Sequence, residues 1–481
     1  MTQDASRSCT FPDDEADPGS SLGSLGPGSR PRASGKADPA IRYGWATRAH
    51  IADTIFALST PAGRSAVAVI RLTGPRAGEA LRALTGRSFT PRMATLCAFR
   101  DPQTGAALDE GLGLFFPAPA SFTGEDCAEL QVHGSPPVVR AVCAALAALD
   151  GVRPAEPGEF TRRAFEHGKL DLARVEGLAD LIDAQTEGQR RLARRILDGG
   201  LDRLAEGWRE RIVAALAAIE SQLDFADEGD VSGLDRARLR TDLETLAQEI
   251  EAEVARGRRG AKMREGFFVA ICGPPNSGKS TLLNALAGRE QAIVSPHAGT
   301  TRDPIEVSLE LGGLLVTLCD TAGIRDSDDP VEAIGIARAR RAAANADLTV
   351  WLTAPDDLTP PDIAADLVVS SKADLLRTDV GDLQISAHTG ENLDVLVNAI
   401  VARAGISGAG DDGVLSRDRL IAAAESMRTQ LVAACDWLAA DRLELAAAHL
   451  QGALAELGRL GSHSPDEAVL DQIFARFCIG K

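Results

Sequence analysis

The chain has no long apolar run, no closely spaced pair of cysteines and no excess of positive charge. A helix that crosses a bilayer needs roughly 20 apolar residues, whereas Gly, Asp or Arg interrupts the apolar runs of this sequence. We therefore expect no membrane segment. The eight cysteines are scattered without a C-x-x-C pair, which argues against a zinc site or a disulfide scaffold and favours a reducing cytoplasm.

The formal net charge of −18 means that the surface as a whole repels nucleic acid. RNA would have to be bound by a local basic patch. Two basic runs are candidates for tRNA contact, residues 190–195 (R-R-L-A-R-R) and 256–264 (R-G-R-R-G-A-K-M-R). Such runs are also typical of solvated helix faces, so both interpretations stay open.

Residues 1–50 are rich in Ser, Gly, Pro and Asp and lack a periodic apolar pattern, which predicts a disordered N-terminal extension. Acidic residues near the start argue against a mitochondrial transit peptide, and no apolar segment indicates a secretion signal. The extension is either a tail or an overlong start.

Mixed strand-like and helix-like runs over residues 51–168 predict an α+β domain, with strands at 66–72 and 112–116 and a helix at 138–149. Residues 169–264 carry apolar residues at helical spacing and almost no proline, which predicts an all-α domain. A second helical part, residues 405–481, follows a Gly-rich linker. We expect it to pack against the first.

Strand-like runs alternate with helix-like runs over residues 265–404, which predicts a mostly parallel sheet covered on both faces. The predicted strands are residues 267–272, 305–311, 314–320, 348–354, 367–370 and 383–386. This arrangement places a nucleotide domain inside one helical domain, so that motion near the nucleotide has a short path to the helices.

Residues 273–281 read G-P-P-N-S-G-K-S-T and lie between an apolar strand-like run and a helix-like run, 282–287. The spacing matches the Walker A pattern, in which backbone N–H groups surround a phosphate. Lys279 would reach the β and γ oxygens and Ser280 would hold Mg²⁺, while Gly273 and Gly278 permit a positive φ and close approach to the anion. The predicted contacts come from Asn276, Ser277, Gly278, Lys279, Ser280 and Thr281.

Four further stretches follow in the order that a GTPase requires. Thr301, in G-T-T-R-D, would close onto Mg²⁺ and the γ-phosphate, and D-T-A-G at 320–323 would hold a Mg²⁺-bound water and detect the γ-phosphate. In S-K-A-D, Asp374 would accept hydrogen bonds from guanine, supported by the loop at Ser386 and Ala387. Each stretch is weak alone, but together they predict GTP binding by Thr301, Asp320, Thr321, Ala322, Gly323, Ser371, Lys372, Asp374, Ser386 and Ala387.

Two positions depart from the usual GTPase pattern. Ser371 stands where an Asn amide usually contacts the base and braces the phosphate loop, so guanine preference would depend mainly on Asp374 and affinity would be moderate. Ile324 stands where a Gln often orients the attacking water, so another group must do so. Asn276, as a cation ligand, and Glu332 are candidates, although each residue type is also common as a simple polar surface group.

From Asp53 to Lys481 the chain resembles the MnmE (TrmE) family of tRNA uridine-5-carboxymethylaminomethyl modification GTPases. Besides the GTPase motifs, the resemblance is carried by T-P-A-G-R at 60–64, S-F-T-G-E-D at 121–126, E-L-Q-V-H-G at 129–134, P-G-E-F-T-R-R-A-F at 157–165, G-K-L-D-L-A at 168–173 and F-C-I-G-K at 477–481. It implies a multidomain fold: an α+β tetrahydrofolate-binding N-terminal domain that dimerises, an all-α helical domain, and an inserted Ras-like α/β P-loop G domain.

The resemblance also implies roles for single residues. K⁺ would be held by Asn276, Ser295, His297 and Thr300 where two G domains meet, and Glu332 would orient the water. A formyl-tetrahydrofolate would be bound by Arg71, Glu129, Lys169 and Lys481, whose charges suit a glutamate tail and a pterin edge. Cys478 matches a cysteine needed for modification, as a nucleophile or redox group, although an isolated Cys among Ile and Phe is also typical of a core.

Together with the GTPase motifs, the resemblance implies a K⁺-activated GTPase that acts as a homodimer with an FAD-dependent MnmG (GidA)-type partner, in a heterotetramer or larger complex. Its GTP hydrolysis would serve the addition of an aminomethyl-type group to C5 of a wobble uridine in tRNA, with the carbon from a tetrahydrofolate. A GTPase switch in ribosome assembly or translation is an alternative, but it leaves the folate-like domain and C-I-G-K unexplained. A folate enzyme that needs no partner is a third.

Overall fold

The computed structural model describes most of the chain from residue 53 onward. The described residues are 53–224, 234–289, 291–293, 305–320, 343–358, 360–361, 363–377, 380–405, 413–460, 467–475, 477 and 479–480. They belong to a single structural unit. The predicted extension over residues 1–50 lies outside them. No helix among these residues is long and apolar enough to cross a membrane.

The first part of the chain forms a six-stranded sheet. Its strands are β1 (Thr54–Leu58), β2 (Val67–Thr73), β3 (Thr95–Arg100), β4 (Ala107–Phe116), β5 (Cys127–His133) and β6 (Val152–Pro154). They lie in the order β3-β4-β5-β2-β1-β6, and only the β1–β6 pair is parallel. The helices of this part are α1 (Ala77–Thr85), α2 (Pro136–Ala147) and α3 (Glu159–Glu166). The strands predicted at 66–72 and 112–116 and the helix predicted at 138–149 correspond to β2, to the second half of β4 and to α2, with bounds that differ by up to five residues.

The two faces of this sheet differ, because successive side chains of a strand point to opposite sides. Phe56, Ile70 and Leu72 belong to a buried apolar cluster to which α1 and α2 contribute. On the opposite face, Ile55 and Ala57 cluster with Phe160 of α3. That second face also carries the polar residues that directly oppose Ile55 and Ala57 in β2, namely Thr73 and Arg71. It is therefore the face on which a polar site can be built.

The next part of the chain is helical. It comprises α4 (Leu172–Asp183), α5 (Glu187–Leu197), α6 (Gly200–Asp224) and α7 (Arg236–Glu265). Side chains cap three of these helices: Asp171 and Asp235 accept from the backbone of the first turn, and Thr186 forms a capping box with Gln189. Such caps satisfy N–H groups that a helix start leaves without partners.

A seven-stranded sheet follows. Its strands are β7 (Phe267–Cys272), β8 (Gln291–Ile293), β9 (Ile305–Leu311), β10 (Leu314–Asp320), β11 (Leu348–Thr353), β12 (Leu367–Ser370) and β13 (Leu383–Gln384), with helices α8 (Lys279–Arg289) and α9 (Leu393–Arg403). The order is β13-β12-β11-β7-β10-β9-β8, parallel from β13 to β10 and antiparallel beyond. The predicted mostly parallel sheet is confirmed. The short strand β8 was not predicted, and the helix predicted at 282–287 is longer at both ends.

The chain then returns to the helices. α10 (Asp418–Ala439) packs along α7, and α11 (Leu443–Leu460) packs on α10 and α6. This confirms the predicted contact between the two helical stretches. Phe474, at the end of α12 (Glu467–Phe474), clusters with Phe477 and Val175. Beyond it, Ile479 bridges to Pro157 and the carbonyl of Gly480 accepts a hydrogen bond from Ser59 Oγ at 3.2 Å. The C-terminal residues thus lie against the first sheet.

Candidate functional site

The loop after β7 has the conformation that the Walker A pattern predicts. Gly273 has φ 145°, and a Cβ there would lie 2.2 Å from the carbonyl oxygen of Leu352, so only glycine fits. Gly278 has φ 93° and Asn276 has φ 58°. Left-handed residues on both sides of Ser277 turn the backbone around the loop before α8 begins at Lys279. Such a turn at a helix N-terminus is a binding site for an anion.

Lys279 directs its ammonium group into this loop. Its Nζ donates to the carbonyl oxygens of Gly273 at 2.9 Å and Pro274 at 2.7 Å, and lies 3.4 Å from Ser277 Oγ. The Lys279 residue is only 4% exposed, so its charge lies at the centre of the loop. Ser280 and Thr281 are exposed on the first turn of α8. Lys279, Ser280 and Thr281 thus lie together at the start of α8 beside the phosphate loop, and their contacts with a nucleotide stay a prediction.

A second loop pair lies where β12 and β13 end. Asp374 Oδ1 accepts a hydrogen bond of 2.5 Å from Ser386 Oγ, which in turn accepts from the backbone N–H of Thr389 at 3.1 Å. The hydrogen bond from Ser386 lowers the pKa of Asp374 below its usual value. Asp374 is therefore an exposed, ionised carboxylate that can only accept hydrogen bonds. Lys372, beside it, pairs with Asp356 at 3.1 Å.

Ser371 corrects one expectation. The sequence predicted that loss of the Asn amide also removes the brace between this loop and the phosphate loop. Instead, Ser371 Oγ donates to the carbonyl oxygen of Ser277 at 2.7 Å, and both residues are buried. The expectation of a lost brace was wrong, because a hydroxyl that is close enough makes the same backbone contact as an amide.

Of the predicted switch residues, Asp320 is the one among the described residues. Asp320 ends β10, where its backbone is paired with Ile271 of β7, two residues before Gly273. The backbone at D-T-A-G therefore begins at the same sheet edge as the phosphate loop. The remaining predicted residues of the switch and cation sites lie outside the described residues: Ser295, Thr300, Thr301, His297, Thr321, Ala322, Gly323 and Glu332. Where the chain is described, no group of three or more His, Cys, Asp or Glu side chains is placed to hold a metal ion.

Two of the four residues predicted to bind folate lie on the polar face of the first sheet. Arg71 and Glu129 are opposite each other in β2 and β5. Arg71 Nε and Nη2 both donate to Glu129 Oε1, at 3.0 and 2.9 Å. The Arg71 guanidinium also lies 5.6 Å from the centre of the Phe122 ring, which is 37% exposed. A charged pair and an accessible aromatic ring are thus side by side.

The other two members come from distant parts of the chain. Lys169 Cε lies beside Gly124, two residues after Phe122. Gly480 packs against Ala57, the residue that directly opposes Arg71. The structure therefore brings Arg71, Glu129, Lys169 and Gly480 to one region. Lys481 and Cys478 themselves lie outside the described residues.

Sequence reasoning missed a buried charged cluster behind this region. Arg163 Nη1 donates to Glu125 at 3.2 Å and to the carbonyl of Asp53 at 2.8 Å, while its Nη2 donates to Glu159 at 3.0 Å. All three charged side chains are at most 10% exposed. The cluster joins the motifs S-F-T-G-E-D and P-G-E-F-T-R-R-A-F. These two motifs were the only feature of the sequence that pointed to it. It fixes the loop that carries Phe122 and Gly124.

The two basic runs are largely paired with acids. Arg190 pairs with Glu187 in α5 at 2.7 Å, and Arg194 pairs with Asp198, the residue that follows α5, at 2.9 Å. In the second run, Arg256 and Arg258 pair with Glu253 and Glu425. These contacts favour the interpretation as solvated helix faces.

Both parts of the chain match known protein families. Residues 54–169 match the family described as the GTP-binding protein TrmE N-terminus, and residues 172–478 match the MnmE helical domain. The chain is 51% identical over 441 residues to the tRNA modification GTPase MnmE of Parvibaculum lavamentivorans, covering 89% of this chain and 100% of the relative. It is 49% identical to the protein of the same description from Rhodopseudomonas palustris, covering 89% and 99%. A solved structure of an Aquifex aeolicus Era variant bound to GDP.AlF4- is 26% identical over 34% of this chain and 66% of that one, with a TM-score of 0.23.

Proposed function

The chain belongs to the MnmE family of tRNA modification GTPases, and from this premise we propose that K⁺ activates its GTP hydrolysis and that a tetrahydrofolate supplies the carbon that is added to tRNA. The enzyme hydrolyses GTP in the course of tRNA modification. The nucleotide part of the proposal rests on the phosphate loop, which has Lys279 at its centre and is braced by Ser371 of the Asp374 loop.

The phosphates and the base of the nucleotide each fit a described group. Lys279 and the start of α8 offer positive charge to phosphates. Asp374, ionised and held by Ser386, offers an acceptor to the N–H groups of guanine. Ser280 and Thr301 are proposed to hold Mg²⁺, which supplies charge neutralisation at the β and γ phosphates.

Hydrolysis needs a group that orients water, since Ile324 has no polar atom for this task. We assign this role to Glu332. Asn276 is exposed at the turn of the phosphate loop, where its side-chain oxygen is free to face an incoming G domain of a second copy. With Ser295, His297 and Thr300 it is proposed to hold K⁺, which supplies the positive charge that other GTPases take from an arginine.

The proposed folate site is supported by the chemistry of its donors and acceptors. Arg71 uses only Oε1 of Glu129, and no described residue donates to Oε2. A pterin N–H edge can therefore donate to Oε2, while the exposed ring of Phe122 offers a stacking surface. Lys169 and Lys481 would pair with the glutamate tail. When bound, the tetrahydrofolate supplies the one-carbon unit.

Contacts between the second sheet and α5 offer a route by which a conformational change at the nucleotide site is transmitted to the helices. The β9–β10 hairpin joins the segments that contain both switch motifs. Its turn lies on the first residues of α5: a Cβ at Gly188 would lie 2.3 Å from the carbonyl of Gly313, and the N–H of Glu187 donates to Glu310 at 3.2 Å. A shift of the hairpin would thus press on α5 directly.

We further propose the finer architecture and partners. The sheet of residues 265–404 is taken as a domain inserted between α7 and α10, and residues 51–168 as the dimerising domain. The partner would be an FAD-dependent protein of the MnmG type, with FAD on that partner and not on this chain, in the cytoplasm. A ribosome-assembly switch would explain the phosphate loop but not the match over residues 54–169.

The test compares GTP turnover and association of the chain in K⁺ and in Na⁺. We expect GTP turnover to fall sharply in Na⁺. With GDP and aluminium fluoride bound, we expect two G domains to associate with each other only in K⁺. Equal rates in both salts would refute K⁺ activation.

Asn276→Ala should reduce the difference between K⁺ and Na⁺ while leaving GDP binding nearly unchanged. Asn284→Ala is a matched control, because Asn284 is exposed on α8 outside the phosphate loop. If both variants behave alike, Asn276 is not a cation ligand.

A further inference from the structure

Ser371 donates its only proton to the phosphate loop. Its Oγ lies 2.7 Å from the carbonyl oxygen of Ser277, and Ser371 is 4% exposed while Ser277 is fully buried. A carbonyl oxygen only accepts, so the proton in this bond belongs to Ser371. Since a hydroxyl carries one proton, Ser371 has no second donor to offer to a bound base.

Guanine has donors on one edge and acceptors on another. The N1–H and the N2 amino group donate, whereas O6 and N7 accept. Asp374 only accepts and therefore fits the donor edge. For the acceptor edge, the backbone N–H of Ala387 makes no hydrogen bond to a described residue and lies next to Ser386, which holds Asp374. This one backbone N–H can donate to O6, which leaves N7 without a donor from these groups.

We propose that Ser371 makes this site indifferent to N7 of guanine, so that, among the described residues, Asp374 and Ala387 select the base. This inference rests on the proposed GTP site. An asparagine amide at this position has two protons, enough to bond the Ser277 carbonyl and to donate to N7 as well. The serine keeps the structural contact and lacks the base contact.

The test compares GDP with 7-deaza-GDP, in which C–H replaces N7, by titration calorimetry with the full chain. The wild type should bind both within about twofold, because no protein donor loses its partner. Ser371→Asn should prefer GDP by about fivefold or more, the factor that one net hydrogen bond contributes.

Two controls separate the possible causes. Ser371→Ala removes the bond to Ser277 and should weaken both nucleotides by a similar factor, leaving their ratio near one. Inosine diphosphate lacks the N2 amino group, so it should bind more weakly than GDP to the wild type and to Ser371→Asn by the same factor, since Asp374 is unchanged.

A wild type that binds 7-deaza-GDP more than about fivefold more weakly than GDP overturns this inference and leaves GTP binding intact. So does a Ser371→Asn variant that binds GDP and still ignores N7. Failure of the wild type to bind GDP at all would instead overturn the proposed function.

Discussion

Arg163→Met should destabilise the first sheet, because it removes the counter-charge of a buried carboxylate. Arg163 is the residue that joins Glu125, Glu159 and the carbonyl of Asp53. A methionine fills much of the same volume, so the change tests the charge and its hydrogen bonds more than the packing.

The size of the effect follows from the contacts that Glu159 and Glu125 each retain in the variant. Removing one member of a buried ion pair costs about 3–5 kcal/mol. Glu159 keeps two hydrogen bonds from Arg153, at 2.7 and 2.9 Å. Of the side chains that contact the Glu125 carboxylate among the described residues, only the Thr73 hydroxyl remains, at 2.9 Å. A single carboxylate is thus left without a counter-charge, and we expect about 3 kcal/mol, the lower end of that range.

Hydrogen exchange read by mass spectrometry can detect this loss locally. It reads peptides of the first sheet directly, whereas the tryptophans among the described residues, Trp208, Trp351 and Trp437, lie outside that sheet. About 3 kcal/mol corresponds to roughly 100-fold faster exchange in peptides from β1, β2 and β5, where exchange proceeds through opening of the sheet. Peptides from α6 and α11 serve as the internal reference and should be unchanged.

Arg153→Met is the matched control. Its side chain is 29% exposed and Glu159 keeps Arg163, so we expect a loss of about 1 kcal/mol. Adding Glu125→Gln to Arg163→Met should recover part of the loss by removing the buried charge. If Arg163→Met accelerates exchange no more than Arg153→Met, the reasoning about the buried carboxylate is refuted.

Four further outcomes are expected. Glu332→Ala should lower GTP turnover and leave nucleotide binding nearly intact, and an equal loss of binding in a titration would point to a structural role. Arg71→Ala and Lys169→Ala should each weaken binding of 5-formyl-tetrahydrofolate, measured by calorimetry, without changing GTP hydrolysis; unchanged folate affinity would count against the site. Gly188→Ala should displace the β9–β10 hairpin and reduce wobble-uridine modification, measured by mass spectrometry of tRNA nucleosides, with GDP binding retained; normal modification would exclude this route. Burial by itself would raise the pKa of Glu159, but hydrogen bonds and nearby positive charge lower it below the usual 4.5. The ionised carboxylate therefore stabilises the fold above that pH, and this stabilisation is lost as the pH falls. The difference in free energy of unfolding between wild type and Glu159→Gln, measured in urea, should narrow from pH 7 to pH 4, and a constant difference would contradict this.

The strands and the phosphate loop could be predicted because they depend on nearby residues. Apolar runs such as Phe267–Cys272 become buried strands through their own pattern, and the turn at Gly273 needs a φ of 145° that glycine alone readily adopts. The order of the GTPase motifs and the length of the family resemblance then indicated the activity.

Contacts between distant residues depended on the tertiary structure. Ser371 and Ser277 are 94 residues apart in sequence, and nothing in either motif shows that a hydroxyl reaches the loop carbonyl. Likewise, Ser59 and Gly480 are 421 residues apart, and Arg163 meets Glu125 only because α3 packs on the polar face of the first sheet. The sequence by itself determined which residues can bind a phosphate, a guanine or a carboxylate. Only the fold decided which of their protons are already used within the protein, because that depends on side chains that the topology brings within hydrogen-bond distance.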